Sequence, residues 1–171
     1  DAVEYTPEFF VKGNGCSADK YDMYCYGTNQ LDNQYMMSCT WTPSWERIYR
    51  FNTVLENLDN VIQTTESIRK QVEGEARFGR AYYHFMLLTQ YCLWGDDKPG
   101  IGYRVNATTG EVPGRETVAY TLEHIYEDLR LAEEALIKAG RTTFDRTHNF
   151  RPTVPTLQAF RARVALYRGD Y

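Results

Sequence analysis

The stretch EGEARFGRAYYHFMLLTQY, Glu73 to Tyr91, constrains the fold more than any other, because it has no proline and runs apolar on most sides after Arg80. Ile68, Val72, Ala76, Gly79, Tyr83 and Met86 recur at steps of three and four, and Phe78, Tyr82, Phe85, Thr89 and Cys92 make a second stripe beside them. That spacing predicts a buried central helix with partner helices on two sides. Glu73, Arg77, Arg80 and His84 form a third, polar line at the same steps, with Glu73 placed four residues before Arg77 in the order that favours an ion pair. This line either faces solvent or ties down buried backbone. Gly79 inside the helix costs roughly 1 kcal/mol relative to Ala, which points to a close helix crossing.

The rest of the chain divides around this element. Residues 1 to 41 carry scattered Gly, Asn, Asp and Thr, with a short helical turn suggested only at Pro7 to Lys12, and read as ordered loop. A first helix opens with Thr42 as cap and Pro43 in its first turn, continues through Trp45, Ile48, Tyr49, Phe51, Asn52, Leu55, Leu58, Asp59 and Ile62, and ends near Gln63. Thr64 and Thr65 make the turn and cap the central helix, and so short a connection predicts an antiparallel hairpin. Trp94 to Gly100 stops the central helix, and a long aperiodic stretch follows to Arg115, a length often tied to function. Thr117 caps a third helix whose stripe Val118, Leu122, Ile125, Leu129, Ala132, Leu136 and Ala139 ends at Gly140. Thr153 caps a fourth, with Pro155 in its first turn and Leu157, Phe160, Val164 and Tyr167 on its apolar face up to Gly169.

With 171 residues and 43% hydrophobic composition, the chain is long enough for one domain with a real core. A net charge of -4 and a pI near 5.4 argue against nucleic acid as a partner, since phosphate binding needs a concentrated excess of Lys and Arg. Cys16, Cys25, Cys39 and Cys92 show no C-x-x-C and no His at ligand spacing, so they read as free thiols rather than a zinc site. A disulfide among the first three stays open for an oxidising compartment. No apolar run reaches transmembrane length, and no signal-peptide core follows Asp1, which reads as a mature or trimmed segment.

Several pieces then read together. Trp45-x-x-Ile48-Tyr49-x-x-Asn52, Glu75-Ala76-x-Phe78-x-Arg80-Ala81-x-Tyr83-x-Phe85, and then Gly95 and Pro99 resemble the N-terminal region of SusD/RagB-family proteins. Arg115-x-Thr117-Val118, Ile125-x-x-Asp128-Leu129-x-x-Ala132, Arg151-Pro152-Thr153 and Ala162-Arg163-x-x-Leu166-Tyr167-x-Gly169-Asp170-Tyr171 are similar to the family's next signatures, in order. Gly169-Asp170-Tyr171 also resembles the inter-helix turn of a tetratricopeptide repeat. The chain departs from the family in lacking the lipid-bearing N-terminal Cys, in having Leu122 where Tyr is frequent, and in ending before most of the family's length.

The resemblance implies an all-α fold: antiparallel helix hairpins of tetratricopeptide type, with residues 1–42 as a loop-rich N-terminal segment packed on the helices and 43–171 as a helical domain truncated at its C-terminal end. On that reading the outer side of the fourth helix, along Phe160, Val164 and Tyr167, lies uncovered and promotes self-association. The resemblance further implies a surface-exposed outer-membrane lipoprotein of Bacteroidetes-type bacteria, held by a lipid anchor outside this chain. Such a protein captures an oligosaccharide or polysaccharide and passes it to a SusC-like TonB-dependent channel. Some relatives take peptides instead, and a helical scaffold for protein interaction is the other alternative.

Sugars present flat C–H faces and many hydroxyls, so a glycan site needs exposed rings beside polar donors and acceptors. Tyr21, Tyr24, Tyr26, Tyr35 and Trp41 meet that description, interleaved with Asp22, Asn29, Gln30, Asp32, Asn33 and Gln34. They are the candidate ligand-binding residues; the competing reading is that they seal the loop onto the helices. Trp45, Tyr49, Tyr82, Tyr83 and Tyr126 sit at helical spacing and read as packing. Glu75, Arg80, Asp128 and Arg163 read as internal ion pairs or helix-turn hydrogen bonds. No nucleophile with its base, metal cluster or shielded carboxylate pair is legible, so no enzyme and no cofactor is expected. His84, His124 and His148 stand alone. Asp145-x-x-His148 reads as a solvated turn, Asp96-Asp97 lacks the alternating oxygens of a calcium loop, and Asn106-Ala107-Thr108 is a sequon without meaning in a bacterium.

Overall fold

A computed structural model describes residues 40–108, 110 and 114–170. Ser44–Tyr171 forms one compact unit, and Asp1–Pro43 clusters separately. The expected loop segment lies almost wholly outside the described residues, and with it the expectation that it packs on the helices. Among the described residues four helices follow in order: α1 (Thr42–Asn57), α2 (Glu66–Tyr91), α3 (Val118–Lys138) and α4 (Val154–Arg168), with a short 3-10 turn at Leu58–Asn60. The fold is all-α, and among the described residues the single extended pairing is an isolated antiparallel bridge between Pro99 and Thr117. Contacts Trp45 to His84 and Phe51 to Tyr83 run α1 antiparallel to α2. Val154 N–H donating to Arg141 O closes the second antiparallel pair, α3 with α4.

The helix boundaries follow local chemistry. Thr65 accepts from Ile68 N–H at 3.3 Å, and Thr117 from Tyr120 N–H at 3.2 Å, each satisfying an orphan donor of the first turn. At α4, Thr153 N–H donates to Thr156 Oγ1 at 3.2 Å. The end of α3 is a left-handed turn: Gly140 has φ 74°, while Arg141 N–H reaches Leu136 O at 2.8 Å and Gly140 N–H reaches Ile137 O at 3.0 Å. Gly169 closes α4 in the same way.

The first helix is shorter than its spacing predicts. Regular helix stops at Asn57 rather than near Gln63, and the guanidinium of Arg69 on α2 donates to the carbonyls of Leu58 and Val61 just beyond that end. Ile62, read as part of the stripe, is 82% exposed in the extended link. Ile68 is likewise exposed, since it sits in the first turn of α2, ahead of the close approach to α3 at Gly74.

Where α2 meets its neighbours, glycines decide the distance. A Cβ on Gly74 would lie 2.7 Å from Leu136 Cγ and 3.1 Å from Ala132 O of α3, so only hydrogen fits this crossing. At Gly79 the neighbour is not a backbone but the Phe51 ring of α1, laid flat over the glycine. Leu87, Leu88, Leu122, Ile125, Leu129, Leu136, Leu157 and Val164 are fully buried, each worth roughly 1.5–3 kcal/mol of apolar transfer. Phe160 packs on Phe78, Tyr82 and Phe85 at centroid separations of 5.6, 5.5 and 5.4 Å. The expected open strip on α4 is therefore corrected: Phe160 and Val164 are buried, and the exposed apolar residues at its end are Leu166 and Tyr167.

Candidate functional site

The polar line of α2 does not face water. Arg80 and His84 are buried with Asn52 and Asp128, and together they hold the segment Ile101 to Ala107 of the long connection against the helices. Arg80 forks onto Asp128 of α3, Nε to Oδ2 and Nη2 to Oδ1, both at 2.6 Å. Its remaining Nη1 donates to Asn52 Oδ1 at 2.9 Å and to Val105 O at 3.3 Å. Asn52 Nδ2 in turn donates to Arg104 O at 3.2 Å and Asn106 O at 2.8 Å. Tyr103 donates its hydroxyl to Asp128 Oδ2 at 2.5 Å. His84 Nδ1 sits 2.8 Å from Arg80 O, and Nε2 accepts the Arg104 N–H at 3.0 Å, which fixes the neutral Nδ1–H tautomer.

Further along, Glu56 Oε1 takes Ala107 N–H at 2.8 Å and Thr121 Oγ1 donates to Ile101 O at 2.8 Å. The two ends of the connection are joined where Gly100 N–H meets Glu116 O at 2.7 Å and Val118 N–H meets Lys98 O at 2.8 Å. A segment that is buried at Ile101 to Tyr103 and partly covered beyond, with no helix or sheet of its own, must find partners for its peptide groups, and here side chains of α1, α2 and α3 supply them.

Electrostatics keep the network in one protonation state. Burial works against the Arg80 charge, but the Asp128 carboxylate outweighs it and raises the guanidinium pKa. Burial pushes His84 down to about 3, with its bond to the Arg80 carbonyl acting the other way, so the ring is neutral at ordinary pH. Burial, then the charge of Asp128, lifts Tyr103 well above the phenol range. Every polar atom of these rings and forks is engaged inside the protein, which leaves no free base or nucleophile to meet a substrate. The network is a fastening.

The residues read as internal pairs separate into kinds. Arg80 and Asp128 form the buried pair, Glu75 instead bonds Arg151 at 3.1 Å near the surface, and Arg163 is exposed. Glu73 and Arg77 make the expected pair at 3.1 Å. Of the candidate ligand rings, Tyr21, Tyr24, Tyr26 and Tyr35 lie outside the described residues. Trp41 is half-buried, in the wide turn that leads into α1. Tyr49, read as packing, is 37% exposed, whereas Trp45, Tyr82, Tyr83 and Tyr126 are half-buried as expected. Asp145 and His148 bond each other at 3.0 Å within one turn, and Asp96 and Asp97 are taken by Arg168 and Lys98. Among the described residues no group of three or more His, Cys, Asp or Glu could hold a metal, and no helix is long and apolar enough to cross a membrane. Tyr103 escaped the sequence reading; its one signal is the apolar triplet Ile101-Gly102-Tyr103 inside an otherwise polar connection.

A family model of SusD-like proteins, described as starch-binding and associating with the outer membrane, matches residues 1–166. The chain belongs to the SusD-like family. A crystal structure of a SusD superfamily protein from Bacteroides thetaiotaomicron VPI-5482 superposes with a TM-score of 0.64 at 21% identity. That match covers 77% of this chain and 28% of the other, so the SusD-like chain spans about a quarter of the length of that relative. No curated protein matches the sequence. The family is one of binding proteins rather than enzymes.

Proposed function

We propose that this SusD-like chain is the helical part of a surface-exposed lipoprotein that captures an oligosaccharide or polysaccharide. It then delivers the glycan to a SusC-like TonB-dependent channel, with the lipid anchor lying outside this chain. The observation that carries the reading is the family match over residues 1–166, with its description as starch-binding and outer-membrane associating. Tyr21, Tyr24, Tyr26, Tyr35 and Trp41 supply stacking rings to a shallow site. Shallow sites desolvate few atoms and order flexible sugars, so the affinity is micromolar to millimolar, roughly -8 to -4 kcal/mol.

Calorimetry of the full-length lipoprotein against plant, host and microbial glycans tests the reading. At least one glycan should bind, and alanine at Tyr24, Tyr26, Tyr35 and Trp41 should weaken it. Silence across the panel, together with failure of the protein to co-elute with a TonB-dependent channel from solubilised outer membranes, would overturn the proposal.

A further inference from the structure

Four rings run in contact from the core to the surface at the N-terminal end of α3. His84 stacks on Tyr103 at 3.9 Å and 20°, Tyr103 meets His124 at 5.2 Å, and His124 meets Tyr120 at 4.2 Å and 38°. The inner two are buried, His124 is half-buried, and Tyr120 is 39% exposed. The ladder is anchored at its base, since Tyr103 is bonded to Asp128 and His84 holds the Arg104 peptide. His124 Nδ1 is engaged with Tyr120 O at 2.9 Å, while its Nε2 and the Tyr120 hydroxyl have no partner among the described residues.

We infer that Tyr120 and His124 form a sugar-stacking subsite on α3, taking one uncharged pyranose ring. The inference rests on the glycan-capture reading and adds a site to it, outside the loop of residues 21–41. An aromatic face open to water accepts the C–H face of a pyranose, and a ring backed by other packed rings loses little freedom on binding. His124 Nε2 and the Tyr120 hydroxyl then lie at the edge of the platform for sugar hydroxyls. Glu123 stands on the same exposed face, three residues after Tyr120, and Glu127 one turn further is neutralised by Arg130 at 2.6 Å, so among the described residues no free cation borders the platform on this helix face and a neutral ligand is favoured over an anionic one. The other half-exposed ring pair, Trp94 and Tyr167, does not make such a platform, because the rings cross at 62° and border the exposed Leu93 and Leu166.

The test uses full-length protein and the best binder among maltoheptaose, cellohexaose, xylohexaose and laminarihexaose. Tyr120→Ala should weaken binding roughly 2- to 12-fold, the range of one aromatic contact, and Tyr120→Phe should keep most of the affinity. On titration of the unmutated protein, the His124 Cε1–H resonance should shift along the same saturation curve as the heat. If the glycan binds but Tyr120→Ala and His124→Ala stay within twofold of wild type, or the His124 resonance does not move, the subsite is refuted and the capture reading stands. If none of the four binds, the subsite for such neutral pyranoses is refuted, while the capture reading falls only with silence across the wider panel and failure to co-elute with a channel.

Discussion

The central helix is fastened by different means on its two sides. Toward α1 and the long connection, Arg80 and His84 meet Asn52, Asp128, Tyr103 and peptide groups of residues 101 to 107 through directed bonds. Toward α4, Phe78, Tyr82 and Phe85 meet Phe160 and Tyr167 ring against ring, with no hydrogen bond in the contact. Apolar packing stabilises but tolerates many arrangements of similar volume, whereas a bidentate pair with a third and fourth donor accepts few. The polar side thus specifies the path of the connection, and the α4 side contributes apolar packing. Buried ion pairs are weak evidence for net stability, and specification of structure is the role that fits this one.

The two sides should break differently. Arg80→Met leaves Asp128 buried beside the apolar stem, and we expect a loss of about 3–5 kcal/mol in denaturant unfolding. Restoring neutrality with Arg80→Met and Asp128→Leu together should recover much of that loss while leaving the segment around Arg104 mobile by amide exchange. If the double variant is as unstable as the single one, packing rather than charge governs this side. Phe160→Ala should cost about 3 kcal/mol through the cavity it opens, with no change in the exchange of the Arg104 amide.

How far such a division can be read from sequence depends on whether its cause is local. Thr65, Thr117 and Gly140 act within one turn of their own position, and the helices begin and end where these residues predict. The polar line of Glu73, Arg77, Arg80 and His84 was visible at helical spacing, but its direction was not, because it depends on Asp128 arriving 48 residues later. The carbonyls beyond the end of α1 are likewise met by Arg69 from the next helix. Tyr103 lies in an aperiodic stretch, so nothing near it in sequence reveals that its hydroxyl reaches the Arg80 pair. The candidate rings Tyr21, Tyr24, Tyr26 and Tyr35 remain a reading of composition and of the family resemblance. Tyr120 falls outside the apolar stripe of α3, and its helical spacing does not reveal that Tyr103, from the preceding connection, lies in tilted ring contact behind His124.

Acid should sharpen the contrast. The folded-state pKa of His84 is depressed to about 3, while an unfolded histidine titrates near 6.5. Between those values the unfolded chain binds the extra proton, so stability falls as pH falls, by about 1 kcal/mol per pH unit. His84→Gln should flatten that slope between about pH 6.5 and 5, measured by urea midpoints, whereas Phe160→Ala should lower the whole curve and keep the slope. An unchanged slope in His84→Gln would assign the acid sensitivity elsewhere. The smallest effect is expected at the crossing with α3, where Gly74→Ala gains helix propensity but presses on Leu136 and Ala132 O. The net cost should be about 1–2 kcal/mol in the same unfolding assay.

The central claim is that side chains, not secondary structure, hold residues 101 to 107 in place, and amide hydrogen exchange tests it most directly. The Arg104 amide, bonded to His84 Nε2, and the Ala107 amide, bonded to Glu56, belong to no helix or strand. The account predicts that the Arg104 amide exchanges as slowly as the core of α2 and speeds up by orders of magnitude in His84→Ala, while α4 amides keep their protection. Fast exchange at Arg104 in the unmutated protein, at the rate of an open loop, would contradict it.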